Sequence, residues 1–144
     1  MTLEEITAEN LRAVMRLEVK PDQEDFVAPN SVSIAEYCYA EEAWMRAIYA
    51  DGEPVGFVLL SERPDLPRYY LWRYMIDGRY QGRGFGARAM HLVIDYVRTL
   101  PNATEMYVNY VPAPGGPRDF YAGLGFVDTG VDHDGELEMK LVFA

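Results

Sequence analysis

The chain has 144 residues, 49% hydrophobic and 25% charged, which suits a single globular domain (residues 1–144) with a substantial core. No apolar run reaches membrane-spanning length, no basic-then-apolar opening reads as a secretory signal, and one cysteine, Cys38, rules out an internal disulfide and fits a reducing cytoplasm. A formal net charge of −10 argues against generic nucleic-acid binding.

Leu3 to Ile6 reads as a short strand. Thr7 can cap a helix running to about Val19, with Leu11, Val14, Met15 and Leu17 as its apolar positions. Lys20 to Asn30 reads as a loop with two prolines and the acidic residues Asp22, Glu24 and Asp25. Ser33-Ile34-Ala35-Glu36 has the form of a capping box, which predicts a second helix ending near Trp44. Met45 to Ala50 and Glu53 to Leu60 flank Asp51-Gly52, the signature of a tight hairpin. After a proline-containing loop, Tyr69 to Ile76 is apolar on both faces, as a central strand requires.

The helical period then runs from about Gly84 to Leu100, with Phe85, Ala89, Leu92, Val93, Tyr96, Val97 and Leu100 on one face. Glu105 to Val111 reads as a strand, Pro112 to Pro117 as a loop and Arg118 to Leu124 as a short helix stopped by Gly125. A last hairpin joins Phe126–Val131 to Leu137–Phe143. The predicted order is β-α-α-β-β-β-α-β-α-β-β, a mixed α/β sheet.

Gln81-Gly82-Arg83-Gly84-Phe85-Gly86 lies between the central strand and the long helix. Three alternate glycines at a helix start leave backbone N–H groups free to converge on one anion. No lysine follows the last glycine, so this is not a nucleoside-triphosphate P-loop. Charge is distributed to match. Residues 1–65 carry 14 acidic and 5 basic side chains, residues 66–100 carry 2 and 6, and residues 101–144 carry 7 and 2. The single basic segment holds the glycine loop. No metal site is expected, since His91 and His133 lack ligand spacing to each other or to Cys38. Cys38, in Tyr37-Cys38-Tyr39-Ala40, reads as buried and inert.

With this order, the chain resembles the GNAT superfamily of N-acetyltransferases. Gln81-x-x-Gly84-x-Gly86 is similar to that superfamily's pyrophosphate loop, and Phe120-Tyr121-Ala122-Gly123-Leu124-Gly125-Phe126 to its aromatic-Tyr-x-x-x-Gly-Phe signature. Asn109 and the ending Glu138-Met139-Lys140-Leu141 fit the same pattern. Phe26-Val27-Ala28-Pro29-Asn30 and Trp72-Arg73-Tyr74-Met75-Ile76-Asp77 further resemble the bacterial spermine/spermidine acetyltransferases.

The resemblance implies the acyl-CoA N-acyltransferase fold: a sheet of about seven strands flanked by helices, splayed between the fourth and fifth. It implies that acetyl-CoA lies against Gln81, Gly82, Arg83, Gly84, Phe85, Gly86 and Ala87, with its pantetheine arm along Met75, Ile76 and Asn109. Tyr121 is implied as the general acid that protonates the leaving thiolate, and a homodimer as the assembly. The implied reaction is direct acetyl transfer to the primary amine of a small cation, a polyamine foremost. An aminoglycoside, an amino acid, a protein N-terminus or a non-catalytic acyl-CoA-binding role are the alternatives.

An alkylammonium of pKa about 10.4 is only about one part in 10³ neutral at pH 7, which adds about 4–5 kcal/mol to the barrier unless a base takes the proton. Many relatives use a glutamate on the strand before the loop, but Tyr69 to Ile76 contains no acid. A water-relayed carboxylate among Glu24, Glu36, Glu41 and Glu42 is the expectation. Glu24, Glu36, Glu41 and Trp72 are expected to bind the amine, with Tyr37, Tyr39 or Trp44 offering further contact.

Overall fold

A computed structural model describes residues 1–144. Its strands are β1 (Thr2–Glu4), β2 (Ala43–Ala50), β3 (Glu53–Arg63), β4 (Arg68–Ile76), β5 (Glu105–Tyr110), β6 (Val127–His133) and β7 (Glu136–Val142). Its helices are α1 (Leu11–Arg16), α2 (Asn30–Tyr37), α3 (Phe85–Arg98) and α4 (Arg118–Gly123), with 3-10 turns at Pro21–Phe26 and Gly78–Tyr80. The element order is the one predicted. All strands join one sheet in the order β1-β2-β3-β4-β5-β7-β6. Every neighbouring pair is antiparallel except β4 and β5, which run parallel. Asp51 (φ 53°) and Gly52 (φ 79°) make the β2–β3 turn, both with the positive φ such a turn needs.

Two cores lie on opposite faces of the sheet. On one, α3 buries Met90, Val93, Ile94 and Val97 against Leu71, Met106, Val108, Tyr110 and Met139, and Ala89 against Ile48, Val55 and Ile76. The predicted helix is right, but Met90 and Ile94 are central, and Phe85, Leu92, Tyr96 and Leu100 are half-buried flanks. On the other face, Val14 and Leu17 cover Phe57, Leu59 and Met75.

Both N-terminal helices are shorter than expected, for identifiable reasons. Asn10, not Thr7, stands at the start of α1. Its carboxamide accepts from Thr7 N–H at 2.7 Å and donates to the Glu5 carbonyl and the Tyr49 hydroxyl, so the turn before the helix is tied to β2. α2 begins at Asn30, placed by Pro29. Ser33 is therefore inside the helix, with its hydroxyl buried and unpaired rather than capping. Asn30 is buried and donates to the Val14 carbonyl at 2.9 Å. The helix stops at Tyr37, because Ala43 and Trp44 belong to β2, paired with Ser61 and Leu60. Trp44 stacks on Tyr96 of α3 with ring centres 4.1 Å apart. Cys38, just past the end of α2, is consequently exposed, not buried.

α1 ends early because the chain after it is pinned to the end of β4. Asp77, 2% exposed, accepts from Glu18 N–H (3.0 Å), Arg79 N–H (2.9 Å) and the Arg79 guanidinium (2.9 Å). Gly78 N–H in turn donates to the Glu18 carbonyl at 2.9 Å. Burial alone would raise the Asp77 carboxyl, but these donors outweigh it and hold the group below its ordinary 3.8. A lowered carboxyl pKa stabilises the fold above the unfolded-state value and loses that contribution as pH falls through the folded-state value. Asp77→Asn is expected to cost about 1.5–3 kcal/mol near pH 7, the range for hydrogen bonds to a charged group. In urea unfolding, the gap between variant and parent should close as pH drops through and below 3.8. A loss of the same size at every pH would contradict the role of the charge.

Candidate acetyl-transfer site

β4 and β5 stay together for only two register pairs, Tyr70↔Tyr107 and Leu71↔Val108. On β4 the register with β3 shifts between Leu59 and Leu60, which face Arg73 and Leu71, so Trp72 has no partner residue. An extra residue of this kind bends a strand. Past it the two strands part, and their unpaired edges enclose a cleft of about 1040 Å³ that runs between the two faces of the sheet.

The glycine loop forms one end of the cleft. Gly82 and Gly84 both have φ 80°, a conformation that strains any residue with a Cβ. Gly84 takes the N-cap position of α3 without any side-chain cap. No N–H from Gln81 to Ala87 meets an acceptor in the protein, so a fan of donors is left at the positive end of a 14-residue helix. Gly86 is held by two contacts: its carbonyl accepts from the Tyr74 hydroxyl at 2.6 Å, and a Cβ there would lie 3.3 Å from the Phe120 ring. The Gln81 carboxamide donates to the Ile76 carbonyl (2.8 Å) and exchanges hydrogen bonds with Gln23 (2.9 and 3.0 Å). Gln81 thus fixes the loop to β4 and to the 3-10 turn.

Tyr121 of α4 also lines the cleft. It is 7% exposed and packs edge-on against Phe120 and Phe126. Burial, reinforced by nearby Tyr70, pushes its phenol up, so it is a neutral hydrogen-bond donor at physiological pH. Asn109 Oδ1 is buried without a partner, and an orphan acceptor on a cleft wall is an opening for a ligand N–H. These groups fit acetyl-CoA: free amides for the pyrophosphate, an unused acceptor for a pantetheine amide, and a phenol to receive the sulfur.

Of the predicted site residues, the cleft brings together Met75, Ile76, Gln81, Gly82, Gly84, Gly86, Ala87, Asn109, Tyr121, Glu24 and Trp72. Arg83 and Phe85 point elsewhere, with the Arg83 guanidinium 5.6 Å from the centre of the Tyr80 ring. Glu36 is outside the cleft wall and pairs with Arg73 at 3.2 Å. Glu42 pairs with Arg63 at 3.3 Å. Tyr37, Tyr39 and Glu41 surround a separate hollow of about 470 Å³ beside Cys38. Trp44 is committed to Tyr96.

Sequence reasoning passed over Gln23, Tyr70, Arg73 and Glu136, which share the cleft wall with Asp25 of the acidic loop. Arg73 stood in the quoted strand motif and could have been flagged as the one cation there. The others had no local signal. The wall contains no Cys, Ser, Thr, His or Lys. Its carboxylates are Glu24, Asp25 and Glu136, against the single guanidinium of Arg73.

Comparison with known proteins shows the family and the fold. Residues 7–126 match the model of the acetyltransferase (GNAT) family. The spermine/spermidine N(1)-acetyltransferase of Bacillus subtilis strain 168 is 24% identical over 146 residues, covering 96% of each chain. The spermidine N-acetyltransferase of Vibrio cholerae, solved with CoA and spermine, superposes with a TM-score of 0.76 at 16% identity, covering 98% of this chain and 94% of that one. A GNAT acetyltransferase of Elizabethkingia anophelis with acetyl-CoA bound gives 0.71 at 14% identity, covering 99% and 97%. The chain belongs to the acetyltransferase (GNAT) family.

Proposed function

We propose that this acetyltransferase uses acetyl-CoA to acetylate a primary amine of a small polycation, a polyamine such as spermidine or spermine, by direct transfer within a ternary complex. The observation that carries the reading is the composition of the cleft. It offers free amides and Asn109 for a CoA thioester, a protonated phenol at Tyr121, and three carboxylates against one guanidinium for a cation. The cleft wall also holds no thiol or hydroxyl nucleophile other than tyrosine phenols, which favours attack by the amine itself. The two substrates would meet through the opened sheet, with CoA entering along the loop.

In this mechanism the 81–87 amides bind the pyrophosphate, and Asn109 Oδ1 accepts from a pantetheine N–H. Met75 and Ile76, at the free edge of β4, direct the arm inward. Tyr121 donates its phenolic proton as the carbon–sulfur bond breaks. Glu24 and Trp72 take part in receiving the amine, by charge and by its aromatic face. The assembly belonging to this reading is a cytoplasmic homodimer, for which the exposed Val127, Val131 and Val142 on the β6–β7 edge supply an apolar strip.

Arg73 favours a second reading, an amino-acid acceptor whose carboxylate would take the guanidinium from Glu36. The two separate in one experiment. CoA release with acetyl-CoA and a panel of amines should be fastest with spermidine or spermine. Turnover of a diamino acid with none of any polyamine would sink the polyamine assignment and favour the second reading. Tyr121→Phe is expected to lower kcat by about 10² or more, the usual size of general-acid effects, while the Kd for CoA changes less than about twofold. An undiminished kcat would remove Tyr121 from the mechanism.

A further inference from the structure

The reaction needs a proton acceptor, and the cleft narrows the choice. It contains no histidine or lysine, so the base is a carboxylate or a phenol. Its phenols are unsuited: burial raises Tyr70, Tyr74, Tyr110 and Tyr121 and keeps them protonated. Glu36 and Glu42 are held by Arg73 and Arg63. Glu24 and Asp25 line the cleft from the 3-10 turn, across from β7, where they are left to hold the cation in the reading above.

Glu136 is different. It is the first residue of β7, and alternation along that strand fixes its direction. Leu137 and Met139 are paired with Tyr110 and Val108 and pack into the α3-side core. Glu136 and Glu138 therefore project to the other face, the face of Asn109, whose register partner is Glu138. Glu138 is buried and spent on Arg68 (3.0 Å), His133 (2.8 Å) and Thr129 (3.0 Å). Glu136 has no ion pair, is exposed, and lines the cleft together with Tyr70, Asn109 and Tyr121.

Tyr70 belongs to the first of the two β4–β5 pairs and Leu71 to the second, after which the strands part, so this is the closed, inner end of the opening. Tyr70 is raised in part by the charge of Glu136, and Tyr121 in part by Tyr70, which puts the three in one neighbourhood. Tyr121 approaches from the α3 side of the sheet and Glu136 from the other.

Accepting the acetyl-transfer reading above, on which this inference rests, we propose that Glu136 is the base that takes the acceptor's proton, facing Tyr121 across the splayed strands. One ammonium proton passes to the Glu136 carboxylate, directly or through one water, and frees the nitrogen lone pair. Nitrogen then bonds to the thioester carbonyl carbon, whose π pair moves to oxygen. When that pair returns, the carbon–sulfur bond breaks and Tyr121 gives its proton to sulfur. The proton still on the former amine nitrogen restores the phenol. The products are the amide, CoA–SH, and the proton left on Glu136, which returns to solvent.

The charged and titratable groups facing Glu136 are Tyr70 and Arg73 of β4, His133 opposite it on β6, Glu138 further along β7, and Glu24 and Asp25 across the cleft. His133 lies opposite Glu136 on β6 and pairs with Glu138, so the test must separate the two. Steady-state rates as a function of pH, with saturating acetyl-CoA and the best amine of the panel, do so. Glu136→Gln should lower kcat by about 10²–10³ and abolish the acidic limb of its pH profile, with KM for the amine, the Kd for CoA and the melting temperature little changed. Glu136→Asp should recover part of the rate, and His133→Asn should keep the limb. A Glu136→Gln kcat within about twofold of the parent, a change confined to KM, or a limb that vanishes with His133 instead would overturn the proposal. No turnover of any amine by the parent protein would overturn the acetyl-transfer reading instead.

Discussion

Parallel pairing between β4 and β5 stops after Leu71↔Val108, and the site exists because it does. Strands that stayed in register would bury the edges of Trp72 to Ile76 and of Asn109 in each other. An unpaired strand edge inside a protein is costly, because its N–H and C=O groups lack partners. Here the register shift at Leu59/Leu60 bends β4 away, while packing on both faces keeps the halves of the sheet from closing or drifting apart. α3 and α4 hold the opening on one face, and the Asp77 anchor with the Gln23–Gln81 pair holds the chain after α1 against it on the other. The freed edges then line the cleft.

Electrostatics follows the same division. The loop end offers unpaired amides at a helix start, with Arg79 and Arg83 nearby around Tyr80. The Arg79 charge is largely answered by Asp77, so the unpaired backbone donors and the helix dipole are the main positive groups left free at this end. The cleft wall beyond the loop carries Glu24 and Asp25 on the 3-10 turn and Glu136 on β7. A cation entering there meets carboxylates that have no other partner, whereas most of the acids in the first 65 residues face solvent or pair with arginine.

The fold was legible because the strong periodic signals lie where structure is local: the Asp51-Gly52 hairpin, the apolar β4 and the long α3. The loop and Tyr121 were legible because glycine spacing and an aromatic signature are sequence-adjacent. What escaped depends on contacts between distant residues. Asn10 and Pro29, rather than Thr7 and Ser33, set the helix starts, since Asn10 has Tyr49 to bind and Asn30 has Val14. Trp44 is pulled into β2 by Tyr96. Glu24, Glu36, Glu41 and Glu42 are the acids the sequence offers for the amine, yet Glu36 and Glu42 are paired with arginine and Glu41 is turned to a separate hollow, while Glu136 arrives from the opposite end of the chain. Side-chain direction on a strand is set by which face its neighbours bury, and that is settled only once the sheet is assembled.

The account depends on the amine attacking the thioester itself. The cleft holds no thiol, and Cys38 lies beside a different hollow past the end of α2. Initial-rate kinetics with acetyl-CoA and acceptor varied together test this directly. Double-reciprocal lines that intersect are predicted, because both substrates must be bound before either product leaves. Parallel lines, accompanied by an acetyl group recovered on the protein after incubation with acetyl-CoA alone, would contradict it.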